Sequence, residues 1–110
     1  MKEKRPMEEL TLFAKTGSNF LSYSLSAIEY FRKGVDQVAL DYFFNSMNEL
    51  KALLDISITI GKMDAEIIKK FTAAIEKLHL HMQNSDFVAI TDLMEFSLYP
   101  LAKGWIEECA

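Results

Sequence analysis

The chain has 110 residues, half of them hydrophobic, and its 16 acidic and 12 basic side chains give a formal net charge of −4. This length allows one domain with one buried core, and the acidic balance argues against nucleic acid as a partner. The single cysteine, Cys109, excludes an intrachain disulfide and is typical of a reducing compartment.

The basic start of the chain does not have the pattern of a signal peptide. Three basic residues precede Pro6, and two glutamates follow where the apolar part of a signal peptide would have to begin. The longest uncharged stretch, residues 16–28, is too short and too polar to cross a membrane. We therefore predict a cytoplasmic protein with no membrane partner, in which a flexible basic N-terminus at residues 1–5 precedes one helical-bundle domain at residues 6–110.

The first predicted helix begins near Pro6 and ends at Gly34. Proline suits a first helical turn because its missing N–H is not needed there, and glycine is common just beyond a helix end. Apolar side chains recur every three or four residues, which is the period of one helix face. The predicted core-facing stripe comprises Leu10, Phe13, Ala14, Gly17, Phe20, Leu21, Leu25, Ile28 and Phe31.

The second predicted helix begins with Asp36, either as its N-cap or as an acid in its first turn, and ends near Asp55. Residues 56–60 alternate apolar and polar side chains like a strand, but a lone strand of this length has no partner in the chain. We therefore predict a connection there that ends at Gly61. The core-facing stripe of this helix comprises Val35, Ala39, Tyr42, Phe43, Ser46, Met47, Leu50, Leu53 and Leu54.

The third and fourth predicted helices are joined by a short turn at residues 84–86, and Asp64 is the predicted N-cap of the third. Pro100 falls inside the fourth helix, where it removes a backbone donor and crowds the carbonyl of Phe96, so we predict a kink or a restart near Leu98. Short turns favour antiparallel neighbours, and the sequence therefore predicts an all-α fold, an antiparallel up-and-down four-helix bundle. The core-facing stripes comprise Ile67, Ile68, Phe71, Ala74, Ile75, Leu78 and Met82 in the third helix, and Phe87, Ile90, Leu93, Met94, Ser97, Leu98, Leu101 and Trp105 in the fourth.

The polar residues do not assemble into a predicted active site. Glu76 and His79 have the E-x-x-H spacing of di-iron bundles, but such sites need a second E-x-x-H and two further glutamates. His79 and His81 would point about 200° apart on a helix and could not share a metal. The sequence also lacks phosphate-loop, zinc-protease and nucleophile-elbow motifs. We therefore predict a protein that is not an enzyme and has no metal site and no cofactor.

Several large apolar residues lie outside the predicted stripes. On the first helix, Leu12, Tyr23 and Tyr30 fall within about 20° of one another on the side away from the stripe. Asn19 flanks this group, which contains no charge, and Phe44 is the aromatic residue of the second helix that lies farthest from its stripe. Because exposed apolar patches mark association surfaces, we predict that Leu12, Asn19, Tyr23, Tyr30 and Phe44 bind a partner.

Three explanations of this surface remain open from the sequence. The surface could take the amphipathic helix of a partner protein, through apolar anchors spaced by three or four residues. It could instead bind a second copy of the chain and make a structural homodimer. In the third explanation, neighbouring helices cover the first helix on two sides, and these residues belong to the core.

The fourth helix also has large apolar residues off its stripe. Val88, Tyr99 and Ile106 share one side of the predicted helix, and Phe96 lies nearby. The pattern places Ile106 on an apolar side outside the core-facing stripe, and exposed patches of this kind mark association surfaces more often than single scattered residues do.

Three stretches of the chain resemble the flagellar secretion chaperones of the FliS type, small cytoplasmic helical bundles that hold the disordered tail of flagellin before export. Residues 8–12 resemble the start of that family's first long helix, and residues 27–29 and 48–50 resemble the hairpin that follows. Residues 86–108, with Trp105 followed by acids, are similar to the family's closing helix. The resemblance implies a chaperone, co-chaperone or adaptor whose partner is a disordered flagellar or other export substrate.

Overall fold

The structure is a computed structural model that describes residues 6–109, and its regular structure in this range is entirely helical. The elements are α1 (Pro6–Arg32), α2 (Asp36–Thr59), α3 (Ala65–Gln83), α4 (Phe87–Leu93), a π-helical turn (Met94–Leu98) and α5 (Tyr99–Cys109). This confirms the predicted all-α class. The N-terminus predicted to be flexible, residues 1–5, lies outside the described residues.

Four rods form the bundle, because α4, the π-helical turn and α5 follow one another without a break. Gly34, with a φ of 78°, reverses the chain between α1 and α2. Phe13, early in α1, packs on Trp105 near the end of α5. Phe31, late in α1, packs on Phe87 at the start of α4. α1 therefore runs antiparallel to the fourth rod, as an up-and-down bundle requires.

The helix starts follow the predicted capping chemistry. The carboxylate of Asp64 accepts a hydrogen bond of 2.8 Å from the backbone N–H of Ile67, which confirms it as the N-cap of α3. Asp86 caps α4 in the same way. At α2 the N-cap position is Val35, so Asp36 stands in the first turn. There the positive end of the helix dipole stabilises its negative charge.

The C-terminal part of α2 corrects the predicted connection at residues 56–60, since residues 56–59 continue the helix. Ser57 is fully buried there, and its hydroxyl donates a 2.7 Å hydrogen bond to the carbonyl of Leu54. Ile56 packs against the core. Tertiary packing of these two side chains outweighs the weak helix propensity of this β-branched stretch.

The buried side of α1 is rotated from its predicted stripe. Leu10, Ala14 and Leu25 are exposed, although the periodicity placed them in the core. α1 lies between α2 on one side and the fourth rod on the other, and this position sets which of its residues are covered. The residues that are buried although they were not predicted to be are small or polar: Thr16, Ser24 and Ala27.

The fourth rod changes its register at the π-helical turn. The turn comes just before Pro100, whose ring offers no N–H to the carbonyl of Phe96. The α-helix is therefore interrupted near Leu98, where a kink or a restart was predicted, but the rod itself continues. A π-helical turn accommodates one extra residue, so buried positions beyond it move one residue towards the C-terminus. Ala102 is accordingly fully buried, whereas Leu101, the predicted core position, is only half-buried.

Ile106 shows the same change of register. The prediction that Ile106 lies outside the core-facing stripe, with Val88 and Tyr99, was wrong, because the side chain is buried against Gly17 of α1. A Cβ atom built on Gly17 would lie 3.0 Å from Cγ2 of Ile106. The absence of a side chain at Gly17 therefore lets α1 and α5 approach each other closely.

Trp105 connects three rods at one end of the core. Its ring meets Phe13 of α1 at 5.3 Å and Phe71 of α3 at 5.2 Å, both edge-to-face. Its indole N–H donates a 3.4 Å hydrogen bond to the carbonyl of Lys62, in the connection before α3. This end of the bundle is therefore closed.

Candidate binding groove

The four rods do not pack equally around the bundle. α2 lies along α1, α3 lies along the fourth rod, and α2 and α3 approach each other less closely than either of these pairs. Buried residues of α1 and α2 include four with small side chains, which allow close helix packing: Ser24, Ala27, Ala39 and Ser46. The side chains that face the space between α2 and α3 are larger and include Phe44, Met47, Leu54, Ile75 and Met82.

A groove with a volume of about 530 Å³ opens between α2 and α3. Its floor is formed by Leu50 and Leu78, which are buried in the core. We define the apolar walls by five residues: Phe44, Met47 and Leu54 on α2, and Ile75 and Met82 on α3. The volume lies within the range of about 300–1,000 Å³ in which proteins hold ligands. Two flexible methionines also let such a surface adapt to the shape of a partner.

The polar groups of the groove stand at its edge. Lys51 and Asp55 lie one helical turn apart on α2, and His79 lies on α3. Nε2 of His79 is 3.2 Å from the side-chain nitrogen of Gln83, on its own helix. Neither Lys51 nor Asp55 takes part in an ion pair among the described residues. The groove is therefore apolar inside, with one cation and one anion available on the α2 rim.

The predicted surface of α1 lies largely against α2. The ring of Tyr30 stacks on Tyr42 of α2 at 5.6 Å with an interplanar angle of 5°, and Tyr23 tilts against the same ring at 6.3 Å. Both tyrosines and Asn19 are half-buried, while Leu12 remains 48% exposed. Of the three explanations open from the sequence, this arrangement agrees best with the one in which neighbouring helices cover α1 on two sides. Leu12 is the exception, because it stays exposed.

Phe44 lies elsewhere, at the mouth of the groove. Its side chain is 51% exposed, and its ring contacts Phe43 edge-to-face at 5.6 Å. The groove is lined from α2 and α3, so the structure does not bring Phe44 together with the α1 residues of the predicted surface. Tyr42 and Phe44 are about 200° apart on α2, and this angle separates the two regions.

Four residues of the groove walls were missed as binding candidates because the sequence placed them in the core. Met47, Leu54 and Met82 are only partly covered, and Ile75 is exposed. The sequence signal that could have identified these residues is their spacing: Met47 and Leu54 are seven residues apart, and so are Ile75 and Met82. On α3 the same spacing continues beyond the groove to Ile68. Ile68, also predicted to be in the core, is exposed as well.

Other charged groups form ion pairs away from the groove. The Arg32 guanidinium, at the end of α1, donates 2.8 Å hydrogen bonds to Asp92 and to Glu95 on the fourth rod. The bond to Asp92, followed by that to Glu95, raises the pKa of Arg32. Burial raises the pKa of the Cys109 thiol, so this cysteine is mainly protonated at neutral pH. Neither feature supplies a nucleophile.

Metal-binding clusters and membrane spans do not occur in the described part of the chain. Within residues 6–109, no three side chains of the metal-binding types come together. No helix in the same range has the length and apolar character needed to cross a bilayer.

A protein-family model, described as a domain of unknown function (DUF8042), matches residues 24–108. The matched range includes both walls of the groove and the whole of the fourth rod up to residue 108. No curated protein and no solved structure matches the chain.

Proposed function

The chain belongs to this family, DUF8042, and we propose that it is a non-enzymatic, protein-binding helical module of the cytoplasm, a chaperone or adaptor for a flagellar or other export substrate. The observation that carries the proposal is the groove between α2 and α3, whose walls are apolar and partly exposed. An open apolar surface with a polar rim costs solubility, and in monomeric proteins such surfaces mark binding sites.

The kind of partner follows from the shape of the groove. A protein segment that is disordered when free can fold against an open apolar surface and bury its own hydrophobic side chains there. The resemblance to FliS-type chaperones supports the same function, because those bundles hold the disordered tail of an export substrate. Phe44 belongs both to the predicted partner-binding residues and to the walls of the groove.

A structural homodimer is the second candidate. It is favoured by the N-terminal part of α1, where Leu12 and Leu10 are both exposed. Light scattering after size exclusion distinguishes the two candidates, because a homodimer through this region dissociates when Leu12→Ser removes one of its apolar contacts. A monomeric wild type leaves the binding module as the remaining candidate.

The experiment that tests the proposal compares two phenylalanines. Phe44→Ser removes one of the five apolar side chains that form the walls of the groove. Phe96→Ser changes a phenylalanine on the π-helical turn whose side chain is more exposed, at 69%. Both variants should fold, since neither side chain is buried. Wild type and each variant are immobilised and incubated with extract of cells that produce the protein natively, and the retained proteins are purified and bound again.

We expect an export substrate that is retained by wild type and by Phe96→Ser but lost from Phe44→Ser. Equal retention by all three proteins contradicts the proposal, and so does retention that does not exceed an empty resin.

A further inference from the structure

Both walls of the groove belong to helix faces with a seven-residue spacing. On α3 this spacing joins Ile68, Ile75 and Met82. On the outer edge of α2 it joins Phe44, Lys51 and Ile58, so the two apolar residues are fourteen positions apart with a lysine midway between them. Ile58 is 66% exposed, and Ile68 is also exposed. The two isoleucines extend the same helix faces beyond the groove towards the connection between α2 and α3.

We propose that the groove binds a single amphipathic α-helix of a partner protein, which lies along α2 and α3 and presents an acidic residue to Lys51 and, one turn away, a basic residue to Asp55. The inference rests on the proposed function and adds the conformation, register and charge pattern of the bound segment.

The length and direction of the apolar track are the reason for a helical partner. Residues seven positions apart drift by only about 20° around a helix, so the apolar residues of α2 and α3 stay on one side of each helix along the whole track. The fourteen positions from Phe44 to Ile58 rise roughly 21 Å, or about four turns. A partner helix of that length can place apolar anchors at i, i+3 or i+4, i+7 and i+11 in the groove.

The charges on α2 argue against the α2 helix of a second copy as the occupant. An antiparallel pair of α2 helices that places Phe44 against Ile58 also places Lys51 against Lys51 of the other copy. The register that pairs Lys51 with Asp55 moves Phe44 opposite residue 62, beyond the end of α2. A parallel pair again brings like charges together, and like charges in contact disfavour association.

The test uses synthetic peptides of about 18 residues as probes. All carry leucine at the four anchor positions; one has Glu and Lys one turn apart at the rim, and a second has Lys at both rim positions. Fluorescence anisotropy measures their affinity for the full-length protein, for Phe44→Ser and for Lys51→Glu. Light scattering establishes the oligomeric state of each protein.

We expect wild type to prefer the Glu/Lys peptide by on the order of fivefold, because the peptides differ only opposite Lys51, where an attractive contact between exposed charges replaces a repulsive one. Lys51→Glu should reverse the preference, because the introduced carboxylate and that of Asp55 then both attract lysine. Phe44→Ser should lower the affinity for both peptides by the same factor.

Four results overturn the inference. A preference that Lys51→Glu leaves unchanged contradicts the charge register, and binding that Phe44→Ser does not weaken contradicts the location. A wild-type dimer that Phe44→Ser dissociates would make the second copy the occupant. If neither peptide binds while the native partner is still retained through Phe44, the helical partner is wrong and the protein-binding function stands.

Discussion

Ser24 is buried in α1, and its hydroxyl has no hydrogen-bond partner among the described residues. A buried hydroxyl without a partner loses its hydration without compensation. We expect Ser24→Ala to raise the free energy of unfolding by about 1 kcal/mol, since alanine removes the hydroxyl and is the better helix former. Urea denaturation followed by circular dichroism measures the change.

Ser46 provides the matched control for this prediction. It is equally buried, in α2, but its hydroxyl donates a 2.7 Å hydrogen bond to the carbonyl of Phe43. Ser46→Ala should therefore leave stability unchanged or lower it. A destabilised Ser24→Ala protein would show that the Ser24 hydroxyl has a partner in solution.

Individual residues could be assigned from the sequence where their role is local. Asp64 was assigned correctly because an N-cap depends only on the residues that follow it. Ser24 could not be assigned, since its burial depends on α2 covering α1. Ile75 was misplaced for the related reason that helical periodicity locates a face but does not show how closely the next helix approaches.

At the scale of the helix, Gly17 and Gly104 are a matched pair. Alanine in place of a helical glycine stabilises by roughly 0.5–1 kcal/mol when nothing obstructs the methyl group. This is the case at Gly104, where a Cβ would have no neighbour within 4 Å. At Gly17 the methyl group would meet three side-chain atoms of the buried Ile106 at 3.0–3.3 Å.

We therefore expect Gly104→Ala to raise the melting temperature and Gly17→Ala to lower it, since overpacking costs about 1–3 kcal/mol. Thermal denaturation of the two variants side by side measures the difference. Equal stabilisation by both substitutions would show that α5 does not lie against Gly17.

The π-helical turn gives a second prediction at this scale. If the turn holds one extra residue, deletion of the exposed Phe96 should convert it to an α-helix and return Leu98, Ala102 and Ile106 to an unbroken helical stripe. We expect the deletion variant to fold with unchanged helical content by circular dichroism. Deletion of Lys77, in the regular helix α3, is the control and should unfold the protein, because it turns Leu78 and Met82 by about 100° away from the core.

A folded Lys77 deletion, or an unfolded Phe96 deletion, would contradict this account of the fourth rod. The interruption of the α-helix was predictable from Pro100, since proline lacks the N–H that a helix needs. Its form as a π-helical turn was not, because the burial of Ala102 and Ile106 selects the register.

At the scale of the molecule, α2 and α3 approach each other less closely than α1 approaches α2 or α3 approaches the fourth rod, and the groove opens between them. The sequence predicted the number, order and antiparallel topology of the rods, because these follow from periodicity and short turns. It did not predict the opening, which depends on small residues between α1 and α2 and large ones between α2 and α3. The predicted site therefore included Phe44 but not the groove around it.

The central claim is that this opening receives a helix. Methyl NMR of protein labelled at methionine tests it most directly, because Met47 and Met82 line the groove, whereas Met94 is buried in the fourth rod. On addition of the Glu/Lys peptide, we predict shifts in the methyl signals of Met47 and Met82 and none at Met94. Shifts confined to Met94, or no shift at any methionine, would contradict the claim.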